Sequence, residues 1–385
     1  MKRRQIYSHA VRLFAFKPPI TMAFLAFVAT CLLGSAQSLA QAYITNSGSN
    51  NVSVVNTKTN TVVATIPVTN PWGVAVSPHM NRAYIGNEGV NTVSVIDTTT
   101  NTVIATVPVG NEPYGIAVTP DGKEVYVTNH FSNDVYVIDT KTNTVIAIIP
   151  VGVLPEGVAI TPDGKEAWVT NPGSNTVSVI DTQTNTVIAT FSDGGVRPFA
   201  IAITPDGKEA FIGNFYSNNV SVIDTATYTP IAQIPTGAQP RGVAITPNGR
   251  FAYVGNINSN TVSAIDTATN TVIATIPVFT PYGVAVTLDS EKVYVADQFT
   301  NTVTVINTDT NTVTATIPVG LNPIAYGIFI QPAPRFAGTP GDPTCQTVSV
   351  AALVQQYGTL GAAAVVLWYP DVLTLENAIS TYCAG

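Results

Sequence analysis

Short apolar stretches with alternating side-chain character follow one another along most of the chain, and polar turns separate them. Alternation with a period of two is typical of β-strands. Within residues 114–152, such stretches occupy 115–119, 124–128, 135–139 and 144–151. Pro-Asp-Gly, a longer polar loop and Thr-Lys-Thr-Asn lie between them, and Pro, Gly and Asn are the residues that tight turns prefer. The pattern predicts four antiparallel strands per unit.

The same unit recurs at a regular period of about 42 residues. An aromatic-hydrophobic-small-Asn motif returns seven times, which predicts one small sheet copied around a ring. The first copy lacks an innermost strand and the last copy leaves one unpartnered. We therefore predict an all-β, seven-bladed β-propeller of four-stranded antiparallel blades at residues 41–331, closed by a blade built from 42–69 and 324–331. The last residue of the motif is Asn46, Asn87, Asn129, Asn171, Asn214, Asn256 or Asp297.

The N-terminal segment has the features of an export signal. Basic residues precede an apolar run at 20–33, and Ser-Leu-Ala at 38–40 fits a small-x-small cleavage site. The run is shorter than the roughly 20 residues that a membrane span needs. We predict a cleaved signal peptide at residues 1–40, with an uncleaved anchor as the alternative, and no transmembrane segment in the mature chain.

Removal of this leader makes the chain more acidic. The leader holds five of the 16 basic residues and no acidic one, which leaves 11 basic and 23 acidic residues and a net charge of −12. Such a surface repels phosphate backbones, so the composition argues against nucleic acid as a partner. The chain is 10% charged and 45% hydrophobic. This composition is expected of a packed domain rather than a disordered one.

The C-terminal tail differs from the repeats. Residues 332–344 form a Pro-rich linker, and the spacing of apolar positions in 345–385 predicts a small helical module. Cys345 and Cys383 are the two cysteines of the mature chain. An oxidising compartment favours a disulfide between them, with two free thiols as the alternative. The role of the module stays open between a lid or clip under the propeller and a docking element.

The repeat motifs resemble a known family. Residues 126–129 read Tyr-Val-Thr-Asn, and Pro-x-Gly, Thr-Pro-Asp-Gly, Ser-Asn-Thr-Val and Asp-Thr recur in register with this tetrapeptide. The chain resembles the YVTN β-propeller repeat family over residues 42–331. The resemblance implies a seven-bladed propeller exported to the envelope or cell surface, of the kind often labelled surface-layer or YncE-like. It implies no single reaction or ligand.

Candidate functional positions lie where the copies differ. The repeated turn residues Asp121, Asp163 and Asp206 have a hairpin role rather than a metal-binding one. The x position of Pro-x-Gly, at the mouth of the central channel, varies between aromatic and charged residues. It can grip a ligand by stacking and orient it by charge; alternatively, the aromatic side chains pack the channel while its acid and base pair. These rim residues are Trp72, Tyr114, Glu156, Phe199, Arg241, Tyr282 and Tyr326.

The loop after the tetrapeptide adds further aromatic residues on the same face, which would suggest a partner surface if they are exposed. His79 and His130 lie in different kinds of loop, so no catalytic cluster, metal site or cofactor is expected. Arg197, in a longer loop, adds a positive charge near the rim. The additional aromatic residues proposed for ligand binding are Phe131, Phe215, Tyr216 and Phe299.

Three functions are compatible with these features. The leading hypothesis is an exported, non-enzymatic binding or scaffold protein of the bacterial envelope, periplasmic or extracellular, which engages a peptide, glycan or protein partner through the variable face. A lyase or lactonase-like enzyme that uses Glu156, with Arg241 stabilising an oxyanion, is the first alternative. A surface-layer structural subunit is the second. The oligomeric state is left open.

Overall fold

A computed structural model describes residues 41–77 and 80–330. Seven antiparallel sheets follow one another along the described chain, and in each complete sheet the strands are hydrogen-bonded in sequence order. Neighbouring sheets contact each other mainly through their first strands, which therefore form the inner wall. The seven-bladed propeller predicted from the period is confirmed. We number the six continuous blades 1 to 6 and call the remaining one the closing blade.

The inner strands line the central channel, and most begin at the Pro of Pro-x-Gly. Blade 3 has a shorter inner strand, because residues 155–157 do not join it. Inner strands: Pro71–Val76, Pro113–Val118, Val158–Ile160, Pro198–Ile203, Pro240–Ile245 and Pro281–Val286.

The second strands end with the repeated tetrapeptide, and most of their residues are buried in every blade. β-Branched and aromatic residues suit this two-sided burial. A short 3-10 helix, Glu88–Val90, follows the second strand of blade 1. Second strands: Gln41–Asn46, Arg82–Asn87, Glu124–Asn129, Glu166–Asn171, Glu209–Asn214, Phe251–Asn256 and Lys292–Asp297.

The third strands are largely buried as well, because they are covered on both faces by neighbouring blades. Their pairing with the second strands is regular along the whole length. Third strands: Asn51–Asn56, Thr92–Asp97, Asp134–Asp139, Thr176–Asp181, Asn219–Asp224, Thr261–Asp266 and Thr302–Asn307.

The outer strands form the perimeter and are mostly exposed. Each pairs with its third strand through one register shift, and such an irregularity bends the blade edge. Outer strands: Thr61–Pro67, Thr102–Pro108, Thr144–Pro150, Thr186–Phe191, Thr229–Pro235, Thr271–Pro277 and Thr312–Pro318.

The two ends of the described chain meet in the closing blade. Ala42 bridges Ile330, and the amide of Tyr43 donates to the carbonyl oxygen of Phe329 at 2.8 Å. The segment is irregular rather than a continuous strand, because Ala325 (φ +42°) interrupts its extended conformation. It nevertheless covers the inner edge of this blade and so removes an open sheet edge.

The tyrosine of the tetrapeptide joins neighbouring blades. In several blades the hydroxyl of this tyrosine donates to the side-chain oxygen of an Asn in the following blade. That Asn lies in the turn between the third and outer strands. Tyr126 donates to Asn185 at 2.6 Å, and Tyr294 donates to Asn60, which links blade 6 to the closing blade. These turn Asn residues have positive φ, a conformation that Asn tolerates better than most residues.

The propeller has two chemically different faces. The lower face carries the turns that follow the inner and third strands. There Asp121 accepts hydrogen bonds from the hydroxyl of Thr119 and the amide of Lys123, which accounts for it as a turn residue. The upper face carries the loops that follow the second strands and the connections between blades. It holds every ligand-binding candidate named above.

Candidate functional site

The glycine of Pro-x-Gly sets how closely neighbouring inner strands approach. A Cβ on Gly73 would lie 1.8 Å from the carbonyl oxygen of Tyr114, and one on Gly115 would lie 2.1 Å from that of Glu156. These distances leave no room for a side chain, so only glycine permits this packing. The x residues of successive blades are thereby brought together at the upper end of the channel.

The threonine of Tyr-Val-Thr-Asn holds the backbone of the candidate residues. The hydroxyl of Thr128 donates to the carbonyl oxygen of Glu156 at 2.7 Å and accepts from the amide of Gly115 at 2.8 Å. Thr170 makes the equivalent bond to the carbonyl oxygen of Phe199. Because these donors and acceptors are buried, each bond spares a backbone group from desolvation without a partner.

The aromatic rim residues form a packed plug. Trp72 lies 5.2 Å from Tyr114 and 5.7 Å from Tyr282 between ring centroids, and Tyr282 lies 6.4 Å from Tyr326. The hydroxyl of Tyr326 reaches across to the carbonyl oxygen of Phe199 at 2.9 Å. Phe199, Tyr282 and Tyr326 are buried. For these residues the geometry corresponds to packing of the channel rather than to an open mouth.

Two arginines lie against this plug. The guanidinium carbon of Arg241 is 4.2 Å from the Phe199 centroid and 4.5 Å from the Tyr282 centroid. That of Arg197 is 5.2 Å from the Tyr216 centroid. The ion pairs formed within residues 41–77 and 80–330 do not include either arginine, although the positive charge of Arg241 still acts to lower the pKa of Glu156. Aromatic faces hold both cations through cation–π contacts.

The sequence analysis predicted no histidine beside Glu156, but the structure brings His130 next to it. His130 Nδ1 lies 3.6 Å from Glu156 Oε1, and the imidazole stacks on Tyr114 at 4.7 Å between centroids. The contact arises because the second strand of blade 2 packs against the start of the inner strand segment of blade 3, as the bond from Thr128 demonstrates. An acid and an imidazole thus meet inside the plug.

Burial determines the charge of this pair. Glu156 is 2% exposed and His130 is 7% exposed. Burial raises the pKa of Glu156 to about 8, although the positive charges of Arg241 and Arg197 oppose the shift. Burial also lowers the pKa of His130. A protonated carboxyl therefore faces a neutral imidazole at neutral pH, with Oε2 of Glu156 and Nδ1 of His130 lacking hydrogen-bond partners.

Exposed apolar side chains surround the plug on the upper face. Phe131, Tyr216 and Phe299 are exposed, whereas Phe215 is half-buried and packs on Phe199 at 5.3 Å. The sequence analysis missed five others, and four of them lie in the blade connections, two residues before a Pro. We call the following eight residues, each between 45% and 70% exposed, the apolar upper-face set: Val90, Phe131, Val153, Val196, Tyr216, Phe279, Phe299 and Leu321.

Below the plug, the channel contains an apolar cavity that the sequence analysis did not anticipate. Its volume is about 240 Å³. The inner strands of blades 1 to 6 line it, together with Ile328 and Ile330, which belong to the closing blade. The signal in the sequence is a triplet of Val or Ile, then Ala, then Val or Ile, which follows Pro-x-Gly in five blades and Pro-Phe-Ala in blade 4.

Within the described ranges, no group of three or more His, Cys, Asp or Glu side chains could hold a metal ion. No helix in that part of the chain is long and apolar enough to cross a membrane. His79, Cys345, Cys383, the predicted signal peptide, the linker and the helical module lie outside the described residues.

Comparison with known proteins shows a similarity to one family. A family model described as a YNCE-like beta-propeller matches residues 74–165 and 207–305. No curated protein matches the chain. Among solved structures, the chain is similar to hydrazine synthase of Kuenenia stuttgartiensis, with 26% identity and a TM-score of 0.64, over 69% of this chain and 92% of that chain.

A second solved structure supports the same architecture. It is a functionally unknown protein from Desulfotomaculum acetoxidans, with 18% identity and a TM-score of 0.65, over 74% of this chain and 99% of that one. At this identity the likeness shows the fold alone. The family match in two segments and the seven sheets of the structure agree, so the chain resembles the YNCE-like β-propeller family in both sequence and fold.

Proposed function

We propose that this propeller is a non-enzymatic binding or scaffold protein of the bacterial envelope, and that its upper face binds a protein or peptide partner. The apolar upper-face set carries the proposal. Exposed apolar side chains gathered on one face of a folded domain mark interaction surfaces more often than scattered ones do. Aromatic residues such as Phe131, Phe279 and Phe299 are also the type that anchors partners in protein interfaces.

The charges of this face favour a partner with acidic groups. Arg197 and Arg241 are partly exposed and are held by aromatic rings rather than by carboxylates. A partner carboxylate can accept charge-assisted hydrogen bonds from them, and these are stronger than neutral ones. The proposed partner therefore presents apolar side chains next to at least one Asp, Glu or terminal carboxylate.

The location is part of the proposal. The basic leader followed by an apolar run supports export, and the resemblance to YVTN-repeat proteins implies an envelope or surface position. A partner in the periplasm or at the cell surface follows from this location.

A capture experiment with a matched control tests the proposal. The purified mature chain, carrying an affinity tag, is crosslinked in an envelope extract beside two triple variants. One variant replaces Phe131, Tyr216 and Phe299 with Ser. The control variant makes the same replacement at three perimeter residues of similar exposure, namely Ile104, Ile188 and Ile273. All six side chains are exposed, so folding should be equally preserved, which thermal unfolding of each variant checks.

The expected result is a partner, identified by mass spectrometry, that the perimeter variant retains and the upper-face variant loses at least tenfold. Purified partner should then bind the wild-type chain directly, and binding should weaken when Arg197 and Arg241 are replaced with Gln. Equal recovery of every crosslinked protein by both triple variants would rule out the upper face as the binding surface.

A second candidate is an enzymatic role, for which the contact between His130 and Glu156 is the specific observation. A carboxyl with a raised pKa beside an imidazole has the composition of an acid–base pair. One of the similar solved structures is also that of an enzyme. A panel of lactones and esters, assayed with the wild-type chain and with Glu156→Gln, tests this role; turnover that the variant lacks would favour it.

A further inference from the structure

The apolar cavity in the channel is a second site, on the side opposite to the proposed partner surface. Every residue that lines it is Ala, Val, Ile, Leu, Pro or Gly. Such a lining offers water few hydrogen bonds, whereas a buried water usually makes about three. The cavity therefore favours an apolar occupant.

A larger polar groove adjoins the channel on the lower face. It measures about 690 Å³ and is lined by turns of blades 4, 5 and 6, including Asp206, Lys208 and Asn248. Pro205, Pro247 and Leu288 line both the groove and the channel. The two are therefore adjacent, and an apolar shaft beside a polar shoulder suits a polypeptide segment better than a small hydrocarbon.

The course of the chain brings its own continuation to this mouth. Pro323 bridges Asn46 at the upper end of the closing blade, and Ile330 bridges Ala42 at the lower end. Both Ile330 and Ile328 line the channel, and Ile328 remains half exposed there. The continuation of the chain, residues 331–385, thus starts beside the cavity.

We propose that residues 347–368 of the same chain occupy the channel mouth and the adjoining groove. This segment is the most apolar part of the continuation and includes Val348, Leu353, Val354, Leu360 and Leu367. The intervening residues 331–346 can extend about 50 Å, so the segment reaches the mouth easily. A tether of this length gives an effective concentration in the millimolar range, so modest apolar contacts suffice for occupancy. The proposal does not depend on binding at the upper face.

A photo-crosslinking experiment on the full mature chain tests the occupant directly. The photoreactive residue p-benzoylphenylalanine replaces Ile328, which tolerates a larger side chain because it is half exposed. After irradiation at low protein concentration, peptide mapping should find crosslinks from position 328 to residues 347–368 in the monomer band. The matched control carries the same probe in place of Phe299 on the upper face and should give no crosslink to this segment.

A second measurement asks whether the apolar channel holds the segment. Ile328→Asp places a charge at the mouth and should expose residues 347–368, so that limited proteolysis cuts them at least tenfold faster than in the wild-type chain. Ile104→Asp, a substitution of similar exposure on the perimeter, should leave the cleavage rate unchanged. Crosslinks confined to a dimer band would assign the site to a second copy. Such crosslinks, or no crosslink to the segment together with unchanged proteolysis, would overturn the proposal.

Discussion

A buried acceptor without a donor in blade 5 gives the sharpest test of how the blades are joined. In the described part of the chain, four tyrosines donate to the turn Asn of the next blade, for example Tyr126 to Asn185 at 2.6 Å and Tyr253 to Asn311 at 2.8 Å. Blade 4 has Phe211 at this position, and the side-chain oxygen of Asn270 in the next blade is buried without a hydrogen-bond partner. We predict that Phe211→Tyr supplies the missing donor.

The geometry of the site supports a direct replacement. Phe211 pairs with Val222 as Tyr126 pairs with Val137, so the ring occupies the same place in the blade. Asn270 has the same left-handed backbone, with φ +54°, as the turn Asn residues that do accept a hydroxyl. A net hydrogen bond contributes about 0.5–1.5 kcal/mol, and an unsatisfied buried acceptor costs about 1–3 kcal/mol. We expect a gain of about 1–2 kcal/mol in the free energy of unfolding.

Urea unfolding and calorimetry measure this gain. The midpoint should rise at an unchanged m-value, and the melting temperature should rise by about 2–5 °C for a domain of this size. The control is Asn270→Gly, which keeps the left-handed turn and removes the acceptor. In that background Phe211→Tyr should stabilise less, because its hydroxyl would keep only the turn carbonyl that equivalent tyrosines also contact, as Tyr294 contacts that of Thr57 at 3.0 Å. A gain of the same size in both backgrounds would refute the reasoning.

Three further predictions concern charge and strain. Burial raises the pKa of Glu156 from 4.5 to about 8 in the folded chain. The stabilisation that this shift provides is therefore complete below pH 4.5 and is lost as the pH rises to about 8. Over that window the free energy of unfolding falls by at most ~1.4 kcal/mol per pH unit. Glu156→Gln should flatten this fall in urea titrations at pH 5, 6.5 and 8, and an unchanged slope would contradict the assignment. Burial raises the pKa of Asp297 to about 7, and the other six blades have Asn at this position. Asp297→Asn should therefore stabilise more at pH 8 than at pH 5 in thermal unfolding, because it removes a buried charge only at the higher pH. Equal gains at both pH values would argue against a buried charge. Leu154 has a backbone φ of +55°. That conformation costs a non-Gly residue about 1–2 kcal/mol. Leu154→Asn should therefore raise the melting temperature by about 1–3 °C and Asn143→Leu should lower it; a lower melting temperature for Leu154→Asn would indicate that the Leu side chain makes compensating contacts.

The fold could be predicted from the sequence because the interactions that build each blade are local. Pairing between neighbouring strands and the left-handed Asn residues lie within one repeat and recur around the ring, and the Pro-Asp-Gly turn recurs in blades 2, 3 and 4. The residues of the rim could be named for the same reason, since Pro-x-Gly marks the start of most inner strands. The sequence by itself therefore determined the architecture and the positions at which one blade differs from another.

Only the tertiary structure decided what those positions do, because closure of the ring brings together residues that are far apart in sequence. His130 and Glu156 come from different blades, and Tyr326 reaches Phe199 across 127 positions of the chain. Whether an aromatic rim stays open or packs shut depends on the distance between inner strands, which the contact of Gly73 with the backbone of the next blade sets. The apolar cavity arises in the same way, from six inner strands whose side chains meet only around the axis.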